Sequence, residues 1–227
     1  SVLFTDSLPL AALFFKLLGG ILPTRFQYFG WWGLLCYALQ GGLAQAVIAR
    51  IAGVQPTFGR DDKSKAAIAI IMSPGQTAKL WGSVLGAGVL VLFPALTIRM
   101  FAHTALAANW LVLLALYLWL RSDELMPTTR RACLIWGGMG LLCAGIHLYY
   151  LPMVGLVLVG YAVRRALQKR GFTAAILPVA AFCVTALAEL FLLGAFAVNF
   201  AGYSNGYLSG ADVVNLFVPG IAASWEQ

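Results

Sequence analysis

Arg99 and His103 stand four residues apart between two stretches, residues 81–98 and 104–120, that contain no ionisable side chain. An arginine at such a place either snorkels to the headgroup layer or offers its fork of donors to an anion; in a chain this apolar, the second use marks a functional site. If the preceding helix runs on through both residues, they share one face. Glu189 is the second unusual charge. It lies inside the apolar run of residues 173–198, where a carboxylate without a partner costs on the order of 2 to 3 kcal/mol, so Arg99 or a histidine is the expected partner. Asp6, His147, Tyr149, Tyr150, Asp212 and Asn215 complete the set of polar groups expected at the same membrane face. Asp6, His103 and His147 each fit a simpler role as helix caps.

What must position these groups is a set of membrane helices. Of 227 residues 61% are hydrophobic, the mean hydropathy is +0.87, and the apolar residues come in uninterrupted blocks, which excludes a water-soluble domain. A span takes about 20 residues to cross a core of about 30 Å. The expected fold class is therefore all-α: a polytopic integral membrane helix bundle of about six transmembrane helices plus an N-terminal interfacial helix.

Spans are expected at about residues 29–51, 81–98, 104–120, 132–147, 151–163 and 173–198. The block from Leu8 to Leu18 is too short to span and contains Lys16, so it is expected to lie along the surface. Ser7 is placed to cap it, Pro9 falls in its first turn and Gly19-Gly20 can end it. Gly82 and Gly86 give the second span a small-xxx-small stripe for close helix approach. Residues 1–227 then form a single transmembrane domain, with an extracytoplasmic loop at 1–28, the bundle at 29–198 and an extracytoplasmic segment at 199–227. A chain that opens on Ser1 and stops in a polar stretch at Gln227 reads as a fragment of a longer one, whose other helices become partners of this bundle.

The net charge of +7 is informative through its distribution. Twelve basic residues (Arg50, Arg60, Lys63, Lys65, Lys79, Arg121, Arg130, Arg131, Arg164, Arg165, Lys169 and Arg170) fall in loops on one side, against Lys16, Arg25 and Arg99 on the other. That asymmetry places the twelve in the cytoplasm and both ends outside. Division among three short loops also excludes a nucleic-acid-binding face. The DDKSK run at residues 61–65 reads as a solvated loop, with no GxxxxGK[ST] motif beside it. Cys36, Cys133, Cys143 and Cys183 show no CxxC spacing and no ligand-spaced histidine, so they read as small apolar residues and no metal site is assigned.

The runs FTDSLPLAALFFKLL, LPTRFQYFGWWGLLCYALQG and FPALTIRMFAHTALAANWLVLLALYL, with His147-Leu-Tyr-Tyr and the closing NLFVPG, together resemble an uncharacterised family of bacterial polytopic membrane proteins. That family is placed near the GT-C glycosyltransferases. The resemblance implies a bacterial inner-membrane location, a role in cell-envelope glycan synthesis and a polyprenyl-phosphate sugar donor. It also implies an acidic residue in the first external loop beside a surface helix, and Asp6 holds that position; GT-C loops often carry a pair of acids, and here Ser7 follows. In such chemistry Asp6 takes the acceptor proton, Arg99 with His103 holds the lipid phosphate, and His147 and Glu189 orient the sugar or the arginine. Two other classes compete. A transporter or flippase calls for broken helices and an internal repeat, which the halves of this chain do not show. A non-catalytic assembly protein would tolerate alanine at Asp6, Arg99 and His103.

Overall fold

The computed structural model describes residues 8–23, 28–54, 74–168 and 171–194, which are helices and their connecting turns, with no strand among them. They belong to the compact unit Ser1–Ala195; a second unit, Phe196–Gln227, lies outside the described residues. The α-helices are α1 (Pro9–Leu17), α2 (Phe29–Ile51), α3 (Pro74–Val91), α4 (Pro94–Ala102), α5 (Trp110–Leu120), α6 (Ser122–Leu125), α7 (Thr129–Ile146), α8 (Tyr150–Leu167) and α9 (Phe172–Leu192), with a 3-10 turn at Thr104–Ala107.

Local chemistry sets several boundaries. Pro94 forces Phe93 into the extended region (φ −60°, ψ 127°), so α3 stops at Val91 and a new helix starts with the proline in its first turn. The expected span at 81–98 is therefore two helices. Gly53, at φ 67°, ends α2 in the left-handed region that a side chain disfavours, while the Val54 N–H donates to the Ala49 carbonyl at 2.9 Å. Thr128 caps α7, its hydroxyl accepting from the Arg131 N–H at 3.3 Å. α1 starts at Pro9 with Leu8 as an N-cap that makes no side-chain bond; Ser7 lies outside the described residues.

Two seams build the bundle, one between the antiparallel α2 and α3 and one between α7 and α9, which run parallel. In the first, α2 packs on α3: Gly86 lies under Ile48, Gly41 under Val91, and the Gln45 amide donates to the Ser83 hydroxyl at 3.3 Å. In the second, α7 packs on α9 through Gly137 and Gly140, and the Thr185 hydroxyl donates across to the Gly137 carbonyl at 2.8 Å. A Cβ on Gly140 would sit 2.5 Å from the Phe182 carbonyl oxygen, which shows how close the two backbones are. α5 joins the halves by packing on α2 and α8, and Leu111, Ala115, Trp136, Cys143, Val154 and Leu158 are buried between them. α1 lies on α7 with Leu8 buried, while Leu13, Phe14 and Leu17 stay exposed.

Three helices, α2, α8 and α9, are long and apolar enough to cross a membrane; Thr104–Leu120 is apolar but shorter. The other expected spans fall short for visible reasons. α3 starts at Pro74 and takes in Lys79, and α7 opens with Arg130 and Arg131. Trp81, Leu85, Leu156, Phe191 and Leu192 point large apolar side chains outward, a surface suited to lipid.

The bundle has two distinct ends. At one, the short α6 ties three helices together. Glu124 bridges Arg50 of α2 at 2.6 Å and Arg121, and Asp123 bridges Arg164 at 2.6 Å and Arg165 at 2.9 Å, both on α8. Arg165 is 2% exposed, and its guanidinium also donates to the Ser122 and Met126 carbonyls at 2.8 and 2.9 Å. The Arg121 guanidinium holds the Glu124 carboxyl below the usual carboxylate range.

Candidate functional site

The opposite end is where α4, the 3-10 turn, the α7–α8 turn and the last turn of α9 meet. Arg99 occupies the last turn of α4, where the helix dipole favours a cation. Helix α4 then stops: His103 has φ −140°, its N–H donates to the Arg99 carbonyl at 2.7 Å, and its side chain is exposed. The condition for the two residues to share a helical face, a helix running on through both, is therefore not met: α4 ends at Ala102 and His103 is its C-cap.

The connector after His103 is held from three sides. The Trp32 indole N–H of α2 donates to the Thr104 carbonyl at 3.0 Å, and the Tyr150 hydroxyl of α8 donates to the Leu106 carbonyl at 2.7 Å. The Arg99 Nη1 donates to the Asn109 side-chain oxygen at 3.3 Å. Ala105, Ala107 and Ala108 are buried beneath, so small residues let the chain pass close to the core. Arg99 is partly buried, and among the described residues no carboxylate pairs with it.

His147 ends α7 in extended conformation (φ −165°, ψ 136°). Its Nδ1 accepts from the Tyr149 N–H at 3.3 Å, and the two rings stand 4.9 Å apart. Tyr150, three residues on, carries the bond to Leu106, so the histidine turn and the Arg99 connector belong to the same end. Glu189 sits in the last turn of α9 but apart from Arg99. Its carboxylate lies on the backbone of Gly145, where a Cβ would be 2.5 Å from Oε1 and 3.1 Å from the Leu10 Cβ of α1. Its Oε2 is buried with no hydrogen-bond partner among the described residues, so neither Arg99 nor a histidine neutralises it. Asp6, Asp212 and Asn215 lie outside the described residues.

The arrangement thus brings Arg99, Asn109, His103 and His147 to one end and leaves Glu189 under α1. Asn109 was not singled out from the sequence; the signal was a lone amide in AANW, ten residues after the arginine it holds. Cys36 and Cys143 are buried, Cys183 is exposed, and no group of three metal-binding side chains gathers among the described residues. Chemically, the site offers a guanidinium, held by a neutral amide, to an anion.

No curated protein and no solved structure matches the chain. Over residues 1–227 it matches the domain of unknown function DUF6311, and it belongs to that family.

Proposed function

We propose that the protein is a membrane glycosyl-transfer protein of GT-C-like arrangement, which takes a sugar from a polyprenyl-phosphate donor on the extracytoplasmic side of a bacterial inner membrane. The observation that carries this reading is Arg99, a partly buried cation whose hydrogen bond goes to the neutral Asn109 and whose charge is left for an anion. In this reading α2, α3, α5 with its 3-10 turn, α7, α8 and α9 provide six crossings, and the arginine-rich α6 end faces the cytoplasm. The acceptor hydroxyl gives its proton to Asp6 and its oxygen attacks the anomeric carbon. The bond from that carbon to the phosphate oxygen breaks, and polyprenyl phosphate leaves against Arg99, with His103 beside it.

The test is release of polyprenyl phosphate by the full-length protein in proteoliposomes supplied with polyprenyl-phosphate hexoses and pentoses and a hydroxyl acceptor. Arg99→Ala and Asp6→Asn should each lower release at least a hundredfold, the scale of losing a charged transition-state contact. Release unchanged in both variants overturns the proposal.

A further inference from the structure

A second place in the molecule is shaped for a lipid, and it starts at the end away from Arg99. Between α5 and α7 runs an open groove of about 510 Å³, walled by Leu114 and Leu118 on α5 and by Leu134, Gly138 and Leu142 on α7, with Leu10 of α1 also lining it. Gly138 leaves its floor open, since a Cβ there would meet nothing within 4 Å. Leu134 is 67% exposed.

The α7 wall continues, at the three- and four-residue spacing of one helical face, into Arg131, with Arg130 on its flank. Arg130 and Arg131 are both exposed. Neither makes an ion pair among the described residues, because the carboxylates at this end are already used: Asp123 by Arg164 and Arg165, Glu124 by Arg50 and Arg121. Both cations also stand in the first turn of α7, where the helix dipole opposes them. An anion at that place relieves both conflicts.

Length selects the occupant. The eleven residue-to-residue steps from Arg131 to Leu142 rise about 16 Å, half of a hydrocarbon core about 30 Å thick. That is the depth of one leaflet, which fits an acyl chain and is half of what a partner's transmembrane helix needs. We infer that this groove holds an anionic phospholipid, its phosphate on Arg130 and Arg131 and one acyl chain between α5 and α7. This inference does not depend on the glycosyl-transfer reading, because it concerns different residues at the other end of the bundle.

Native mass spectrometry of the purified full-length protein, mixed with equal amounts of phosphatidylglycerol and phosphatidylcholine of matched chains, reads the occupancy directly. At about fivefold per arginine near a phosphate, the wild type should bind one phosphatidylglycerol roughly 25-fold in excess over phosphatidylcholine. Arg130→Gln with Arg131→Gln should bring that ratio close to one, and lysine at both positions should retain it. Gly138→Leu, which fills the floor at a site with open space, should remove retention of both lipids while the protein stays monodisperse. No preference in the wild type, a preference that survives the double glutamine variant, or undiminished binding in Gly138→Leu would each overturn the assignment.

Discussion

Replacing Arg165, which is 2% exposed, by methionine removes five donors while keeping the side chain's apolar stem. The guanidinium donates to Asp123 Oδ1 at 2.9 Å, to the Ser122 and Met126 carbonyls at 2.8 and 2.9 Å and to Gln168 Oε1 at 3.3 Å, and it stands 5.1 Å from the Tyr161 ring centre. Leaving the Met126 carbonyl unpaired costs about 1 to 3 kcal/mol, and losing the charge-assisted bonds to Asp123 and Ser122 about 1.5 to 3 kcal/mol more; Asp123 keeps Arg164 at 2.6 Å and the Ser122 carbonyl keeps the Met126 N–H at 2.9 Å. For a chain of this size a loss of about 4 kcal/mol lowers the melting temperature by roughly 10 °C. Arg164 is the internal control. It binds the same carboxylate at 2.6 Å, but its side chain is 35% exposed, so Arg164→Met should cost about 0 to 1 kcal/mol. The assay is thermal unfolding in detergent, followed by reaction of the buried Cys36 and Cys143 with a thiol dye after Cys133 and Cys183 are changed to serine. Equal shifts for the two arginines would refute the assignment of Arg165 as the buried pin of α6 to α8.

Other outcomes follow from the same geometry. Gly140→Ala places a Cβ 2.5 Å from the Phe182 carbonyl oxygen, whereas Gly138→Ala meets nothing within 4 Å. The first should cost about 1 to 3 kcal/mol in the same melting assay and the second little; the reverse order would contradict the α7–α9 seam. The carboxyl of Glu124 is held below its ordinary value of 4.5, chiefly by Arg121. Its contribution to stability is therefore present above that value and lost as pH falls through the lower folded value. Melting temperature should drop below about pH 4.5, and Glu124→Gln should flatten that part of the curve; the same acid loss in both proteins would show that this link contributes nothing. In intact cells, an impermeant thiol reagent should label cysteine at Ala102 and spare cysteine at Pro127 and Gln168. Labelling at Pro127 from outside would invert the proposed orientation.

The helices themselves were largely legible. Unbroken apolar runs locate α2, α8 and the start of α9 within a few residues, while α9 ends at Leu192, short of the expected 198. What could not be read was which charges leave water. The stretch RRALQKR at residues 164–170 looks like a solvated basic face, yet Arg165 is buried, because α6 folds Asp123 and two carbonyls over it. That burial depends on a neighbour more than forty residues away and leaves no local trace. The α7–α9 seam was hidden for the same reason: the small residues of GGMGLLCAG gain meaning only beside Thr185. At the candidate site, the sequence identified Arg99 as an exceptional charge at a turn between two apolar runs, but not that Pro94 opens a separate helix, α4, whose last turn carries it. Glu189 was expected to find a cation, and close approach of α1 over Gly145 instead encloses it.

Transfer from a polyprenyl-phosphate donor requires Arg99 to hold the lipid phosphate. Photo-crosslinking of a diazirine-bearing polyprenyl phosphate to the full-length protein in proteoliposomes measures this without knowing the sugar or the acceptor. Arg99→Gln should reduce crosslinking to the peptide spanning residues 94–120 about tenfold or more, the scale of one charge-assisted contact of about 1.5 to 3 kcal/mol. Crosslinking that is equally strong in wild type and Arg99→Gln would contradict the account.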